Sequence, residues 1–386
     1  MMRVMVLTGT RAEYGLLKPV IKRFHNDKDI ELLLAVTGSH LSPKYGNTVS
    51  EIESDGFNID FKVKLTLEGD EVINVADSMG IAISKMTRIL LESSPDIIIL
   101  LGDRYETFAV AIAATITLTP IAHLYGGEVT FGAIDEVFRH SITKASHFHF
   151  TSTESYRKRV IQLGEKPNSV FNVGSLGVEN INKIQLLSKS EIETELDMKI
   201  DDSTVLVTFH PATMENNSYS QINELFYALK KANVKSIITK SNADSGGGKI
   251  NNMIDSYVAE NPNTNKAFFS LGQIRYLSTM KFVAAVVGNS SSGLIEAPSL
   301  GVPTVNIGDR QLGRIQPDSV INCPLIAVDI KNSIDKALSK NFQDYAKKIE
   351  NPYEGRCPSE DIYRVIKENI NEISIKKEFY DLHNSI

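Results

Sequence analysis

Short apolar runs alternate with longer amphipathic segments twice along these 386 residues, which predicts an α/β protein with two doubly wound parallel sheets. The apolar runs lack polar interruptions, as in IIILL at 97–101, and so fit strands covered on both faces. The alternation breaks once, at the charged, helix-prone stretch Lys183–Lys199, and then restarts. A domain boundary is therefore expected near residue 180.

The first half offers strands at Val4–Thr8, Glu31–Thr37, Ile97–Leu101, Ile121–Leu124, Phe148–Thr151 and Val170–Val173. Helical patterns lie between them at Gly15–Asn26, Val72–Leu91, Tyr105–Thr117 and Glu154–Leu163. The second half offers strands at Val205–Phe209, Lys235–Thr239, Ala267–Phe269, Val283–Val287 and Thr304–Ile307. Its helices are expected at Ser220–Asn233, Lys249–Glu260, Gln273–Met280 and Leu294–Leu300, the last kinked or started late by Pro298. A final stripe, Ile362, Val365, Ile366, Ile370 and Ile373, has helical spacing and could brace the two units. The expected division is 1–180, an N-terminal Rossmann-like domain onto which 361–386 packs back, and 181–360, a C-terminal Rossmann-like nucleotide-binding domain.

Hydrophobic residues at 42% and charged residues at 23% exclude disorder as the main state. The net charge of −6, with no block of Lys and Arg, argues against a nucleic-acid partner. Two cysteines, Cys323 and Cys357, are too few for a disulfide scaffold and suit a reduced cytoplasmic compartment. The N-terminal apolar run is too short for a signal peptide, and no run approaches ~18 residues, so no membrane association is expected.

The most informative motif is GNSSSGLIE at 288–296, between a strand and a helix. Small residues let a phosphate approach backbone N–H groups, and Ser290, Ser291 and Ser292 add donors. A plain polar turn with Ser291 as N-cap fits the spacing equally. Glu296, one turn into that helix, could accept from ribose hydroxyls or serve as a first-turn acid. Thr8–Arg11 is a second strand-to-helix turn, where Arg11 suits an anion or a surface ion pair. Asp103 and Arg104 follow the strand 97–101, and Asp103 could face a ligand or cap a helix. The strand 121–124 runs into Tyr125–Gly126–Gly127–Glu128, followed by Asp135 and Arg139. Acids at these strand ends, beside basic residues, form a plausible acid–base set. His210 and Arg310 end strands of the second half and could donate to phosphate. His147 and His149 read as structural, because no third metal ligand accompanies them. No GxGxxG, complete P-loop or GxSxG elbow occurs, so nicotinamide binding and a serine nucleophile are disfavoured.

In this order the motifs TGTRAEYG, VTGSHLSPKYGNT, LGDRYETFAVAIAA, GGEVT, DEVFRHSITKASHFHFTSTESYRKRVIQLGEKPNSVFNVGSLG, FHPAT, SNAD, GNSSSGLIEAPSLG and NIGDRQLGR resemble the hydrolysing UDP-N-acetylglucosamine 2-epimerases of bacterial sialic-acid synthesis, the NeuC type. The likeness runs from Arg3 to about Ile366. It implies a GT-B-like architecture, two Rossmann-like domains facing a central cleft, with no nicotinamide and no catalytic metal. It implies elimination of UDP from UDP-N-acetylglucosamine through a 2-acetamidoglucal, then hydration to N-acetylmannosamine. It assigns the phosphates to Arg11, His210, Ser290, Ser291 and Arg310, the ribose to Glu296, catalysis to Asp103 and Asp135, and a place beside the ligand to Arg104. A homodimer or homotetramer would be usual for such relatives.

Leu16 and Tyr125 depart from many relatives, which have Lys and a catalytic Glu there. A phenol of pKa near ~10 is a poor base and a fair proton donor, so Glu128 is the expected substitute carboxylate. The roles of Tyr125, Glu128 and Asp135 stay open at this point. So do a nucleotide-linked 2,4-diacetamido-trideoxyhexose as substrate, a GT-B glycosyltransferase and a non-catalytic nucleotide-sugar sensor.

Overall fold

Uninterrupted apolar runs become the central strands of two sheets. The computed structural model describes residues 1–42, 48–65, 72–130, 134–209, 218–240 and 247–382, with backbone alone at 218–219 and 247–249. The chain divides into two compact units: Met1–Val129, Ala133–Asn180 and Gly355–Ile386 form the first, and Thr130–Gly132 with Ile181–Glu354 the second.

Among the described residues the first unit holds a seven-stranded sheet. Its strands are β1 (Met2–Thr8), β2 (Ile30–Thr37), β3 (Phe61–Val63), β4 (Ile97–Leu101), β5 (Ile121–Leu124), β6 (Phe148–Thr151) and β7 (Val170–Asn172). The order is β3-β2-β1-β4-β5-β6-β7 and every pairing is parallel. Alternate side chains of β1 and β4 enter different cores. Val4, Val6, Ile97 and Ile99 pack on one face with Leu17, Ile21 and Phe24, while Met5, Leu7, Ile98 and Leu100 pack on the other with Met86, Leu90 and Val110.

The helix Arg11–His25 begins at Thr10, whose hydroxyl accepts from the Glu13 N–H at 3.2 Å, rather than at Gly15. It carries Pro19 in its interior. Proline removes the N–H that would serve the Gly15 carbonyl. Asn180 Nδ2 donates to that carbonyl at 2.9 Å and fills the gap. The helix Pro358–Asn369 lies in the first unit, with Ile362, Val365 and Ile366 in the core containing Phe24. Glu179 accepts from the Ser359 N–H at 2.7 Å, an acid at a helix N-terminus.

The second unit holds β8 (Thr204–Thr208), β9 (Lys235–Thr239), β10 (Asn265–Phe268), β11 (Ala285–Gly288), β12 (Thr304–Ile307) and β13 (Val320–Cys323). Among the described residues this six-stranded parallel sheet runs β10-β9-β8-β11-β12-β13. The expected helix Leu294–Leu300 is instead an α-turn Ser292–Ile295 followed by a 3-10 turn Ala297–Leu300. Pro298 sits at the start of the second piece, where its missing N–H costs nothing. No described helix is long and apolar enough to cross a membrane.

Strand order reverses between β1 and β4 in the first sheet and between β8 and β11 in the second. In open α/β sheets, ligands bind beyond the strand C-termini at such reversals. The sequence motifs Thr8–Arg11, Gly102–Arg104 and Gly288–Glu296 all begin there.

Candidate active site

At the reversal of the first sheet, β1 ends in Thr8–Gly9 and β4 in Leu101–Gly102. Gly9 donates its N–H to Glu13 Oε2 at 2.7 Å. Glu106 is fully buried and accepts from Arg104 Nε at 2.6 Å, while Glu13 Oε1 lies 3.9 Å from the same nitrogen. Burial, then the Glu106 charge, raises the Glu13 carboxyl to about 7. Neither glutamate was singled out above. The available signal was a repeated Gly-x-Arg-x-Glu spacing at 9–13 and 102–106, one copy after each of the two strands. Arg11 makes the surface ion pair that its residue type alone suggested, with Glu51 Oε1 at 2.7 Å.

Asp103 does not cap the helix Tyr105–Ile116. Its carboxylate forms an ion pair with Arg139, which is almost fully buried, and the capping position falls to Arg104. Asp135 opens the helix Asp135–Ala145 rather than ending a strand. Burial, then the charge of Asp103, raises its pKa. Asp103, Asp135, Arg104 and Arg139 thus act on one another electrostatically.

Tyr125 adopts φ 67°, a left-handed conformation unusual for an aromatic residue. Its hydroxyl accepts from the Leu176 N–H at 2.9 Å and lies 3.2 Å from Ser175 Oγ, at the start of the helix Leu176–Lys183. Glu128 is buried and accepts from Ser152 Oγ at 2.8 Å. Two glycines make the turn between them possible. Gly127 has φ 79°, and a Cβ there would lie 2.5 Å from the Tyr156 carbonyl oxygen. His123 beneath this turn bonds the Gly102 carbonyl through Nε2 at 2.8 Å and Thr143 through Nδ1 at 3.1 Å. Burial lowers it to about 3, so the ring is neutral and ties β5 to the Gly102 turn. His149 bonds Glu165, and His147 Nδ1 accepts from the Ile121 N–H.

In the second sheet, Gly288 ends β11 with φ 138°, and a Cβ there would lie 2.0 Å from the Thr208 carbonyl oxygen of β8. Any other residue would push these strands apart. The hydroxyls of Ser290 and Ser292 lie 3.0 Å apart, and Ser292 Oγ is 2.6 Å from the Tyr276 hydroxyl. Tyr276 continues to Thr208 at 3.4 Å, and Thr208 to Thr239 at 2.7 Å. Ser291 holds the first capping position, with no side-chain capping bond. Arg310 Nη1 and Gln311 Nε2 both donate to the Asn289 carbonyl, at 3.0 and 2.8 Å. Arg310 is thereby held against the serine turn. Glu296 follows the four-residue helix Ser292–Ile295 at its C-cap, not one turn inside a longer one. His210 lies outside the described residues.

The first unit thus gathers carboxylates, with the pKa of Asp135 raised among them, and the second a turn of hydroxyls and backbone N–H groups beside an arginine. The family model described as UDP-N-acetylglucosamine 2-epimerase matches residues 22–367. The chain belongs to the UDP-N-acetylglucosamine 2-epimerase family. It is 40% identical, over 98% of its length and 99% of the relative, to a hydrolysing GDP/UDP-N,N'-diacetylbacillosamine 2-epimerase of Campylobacter jejuni. It is 39% identical, over 99% and 98%, to polysialic acid biosynthesis protein P7 of Escherichia coli. It is 34% identical, over 95% of both chains, to a hydrolysing UDP-N,N'-diacetylbacillosamine 2-epimerase of Legionella pneumophila. The solved S. aureus MnaA–UDP structure superposes with a TM-score of 0.81 at 18% identity, over 99% of this chain and 100% of that one. The fold of this epimerase is therefore the expected pair of Rossmann-like units of the GT-B kind. The relatives extend the resemblance beyond the sialic-acid branch to enzymes named for a diacetamido sugar.

Proposed function

We propose that this enzyme hydrolyses and epimerises a UDP-linked 2-acetamido sugar. UDP leaves with its bonding electrons, the C2 proton is removed, and a 2-acetamidoglucal remains. Water adds at C1 and a proton returns to C2 from the opposite face, so the products are UDP and the free 2-epimer. The C2 proton is not adjacent to a carbonyl and is barely acidic, so departure of the diphosphate must drive the elimination. Fixed donors must then meet charge developing on the leaving group. Ser290, Ser291, Arg310, Arg11 and His210 take that role, and Glu296 the ribose. Ser292 holds Ser290 in place, since its hydroxyl is engaged by Ser290 and Tyr276.

The observation that carries the reading is the pair Asp103 and Asp135. Arg139 forms an ion pair with the first, while burial and the first's charge raise the pKa of the second. Two carboxyls with opposed environments suit a base and an acid. Arg104 stands beside them toward the ligand. Glu128 is the additional carboxylate, and Tyr125 a hydroxyl that orders the turn carrying it.

Two relatives named for diacetylbacillosamine, at 40% and 34% identity, favour a UDP-linked 2,4-diacetamido-trideoxyhexose over UDP-N-acetylglucosamine as substrate. Side-by-side turnover of the two nucleotide sugars tests this. Faster UDP release from the diacetamido sugar supports this preference, faster release from UDP-N-acetylglucosamine reverses it, and release from neither refutes the proposal.

A further inference from the structure

Two carboxylates and one guanidinium meet at the reversal point of the first sheet, and their charges do not balance. The Cβ position above Gly9 lies 3.2 Å from Glu13 Oε2 and 3.2 Å from Glu106 Oε1, so both acids crowd one turn of backbone. Gly38, at φ 58°, brings its own Cβ position within 3.2 Å of the same Glu106 oxygen. Glu106 is fully buried, and its Oε2 has no hydrogen-bond partner among the described residues. Arg104 supplies one positive charge, its Nε spent on Glu106, and its side chain keeps 44% exposure.

A buried carboxylate oxygen with no donor is costly, and a second ionised carboxylate beside it raises the cost. A proton on Glu13 removes the second penalty and leaves a single negative charge against the single guanidinium. The other groups around the pair do not change this balance. His40, on the neighbouring turn, is lowered to about 4 by burial and is neutral. Asp103 is engaged with Arg139, and Arg11 with Glu51. Tyr105 flanks Arg104 with its ring. Glu13, raised to about 7, is the member that gains the proton.

We infer that Glu13 and Glu106 act as positioning residues for Arg104 and that Glu13 exchanges a proton with solvent, so that binding of a nucleoside diphosphate takes up a proton from solution onto Glu13. The inference rests on the nucleotide-sugar reading above. An anion beside Arg104 competes for its charge, the two acids are then less well compensated, and the affinity of Glu13 for a proton rises. The proton comes from solvent and goes to a carboxylate oxygen, and no bond of the ligand changes.

Calorimetry of UDP binding at pH 8, in two buffers of different ionisation enthalpy, counts the protons exchanged. At that pH a terminal phosphate with pKa near ~6 is already ionised and contributes little. The wild-type protein should take up roughly half a proton per UDP bound. Glu13→Gln and Glu106→Gln should each still bind UDP and lose that uptake. A purely structural pair would leave the proton count the same in all three. UDP binding to wild type without proton uptake would overturn this inference alone, as would uptake preserved in either variant. No UDP binding to wild type at all would overturn the nucleotide reading together with it. Should one variant fail to fold, the other variant decides by itself.

Discussion

At Asp103 the ligand-facing and capping readings differ only in where one carboxylate points, and four sequence letters do not determine that. The buried Arg139, 36 residues away, draws it into an ion pair. Glu13 and Glu106 stayed hidden for a similar reason, since an acid in the first turn of a helix is ordinarily a favourable end charge. Burial alone makes them unusual, and burial is a property of the assembled sheet. Gly288 was legible as a small residue near a phosphate motif, but the pressure on it comes from the Thr208 carbonyl of a neighbouring strand. Glu128 is the residue whose assigned role is most exposed to test. Glu128→Gln retains the volume and can keep a contact with Ser152 while removing the charge. We expect turnover to fall by more than tenfold, about 1.4 kcal/mol of barrier, with UDP affinity little changed. Turnover within tenfold of wild type would remove Glu128 from the chemistry.

Element by element, the long buried strands were legible because two-sided burial leaves unbroken apolar runs. Two of the edge strands were not. Phe61–Val63 has three residues and a lysine, and Val320–Cys323 is mostly half-exposed, so neither carries a periodic signal. The helix Arg11–His25 was expected to start four residues late, since Arg11 and Glu13 lie outside its apolar stripe. Its interior proline is accommodated by a side chain 161 residues further along, a device no local pattern reveals. Asn180→Ala should destabilise the first unit by about 1–2 kcal/mol, because it leaves the Gly15 carbonyl unpaired. The same change in a Pro19→Ala background should cost much less, since the restored N–H serves that carbonyl. Denaturant unfolding of the four proteins measures the coupling, and additive effects would contradict the arrangement.

Across the whole molecule, titratable strain is uneven. His123, His40 and His147 are lowered to about 3, 4 and 4, chiefly by burial, and all belong to the first unit. Each is neutral when folded and binds a proton more readily when unfolded. Stability is therefore full above the unfolded pKa of about 6.5 and declines as pH falls from there toward about 3. Hydrogen exchange at pH 7 and pH 5 should show β1, β4 and β5 losing protection before β8 and β11. Equal loss in both sheets would contradict this. The proposed function divides on the same scale, between carboxylates on one sheet and a serine turn on the other. The two-unit architecture was readable from the alternation of elements, whereas the sugar was not, because the sequence does not identify the residues that meet its 4- and 6-positions.

Elimination followed by hydration requires the C2 proton of the sugar to be lost and replaced from solvent. NMR of the free sugar released from a UDP-linked 2-acetamido sugar in heavy water reads this step. We expect one deuterium at C2 and inverted configuration there. A released sugar that keeps its original hydrogen and configuration at C2 would mean simple hydrolysis, and would contradict the mechanism.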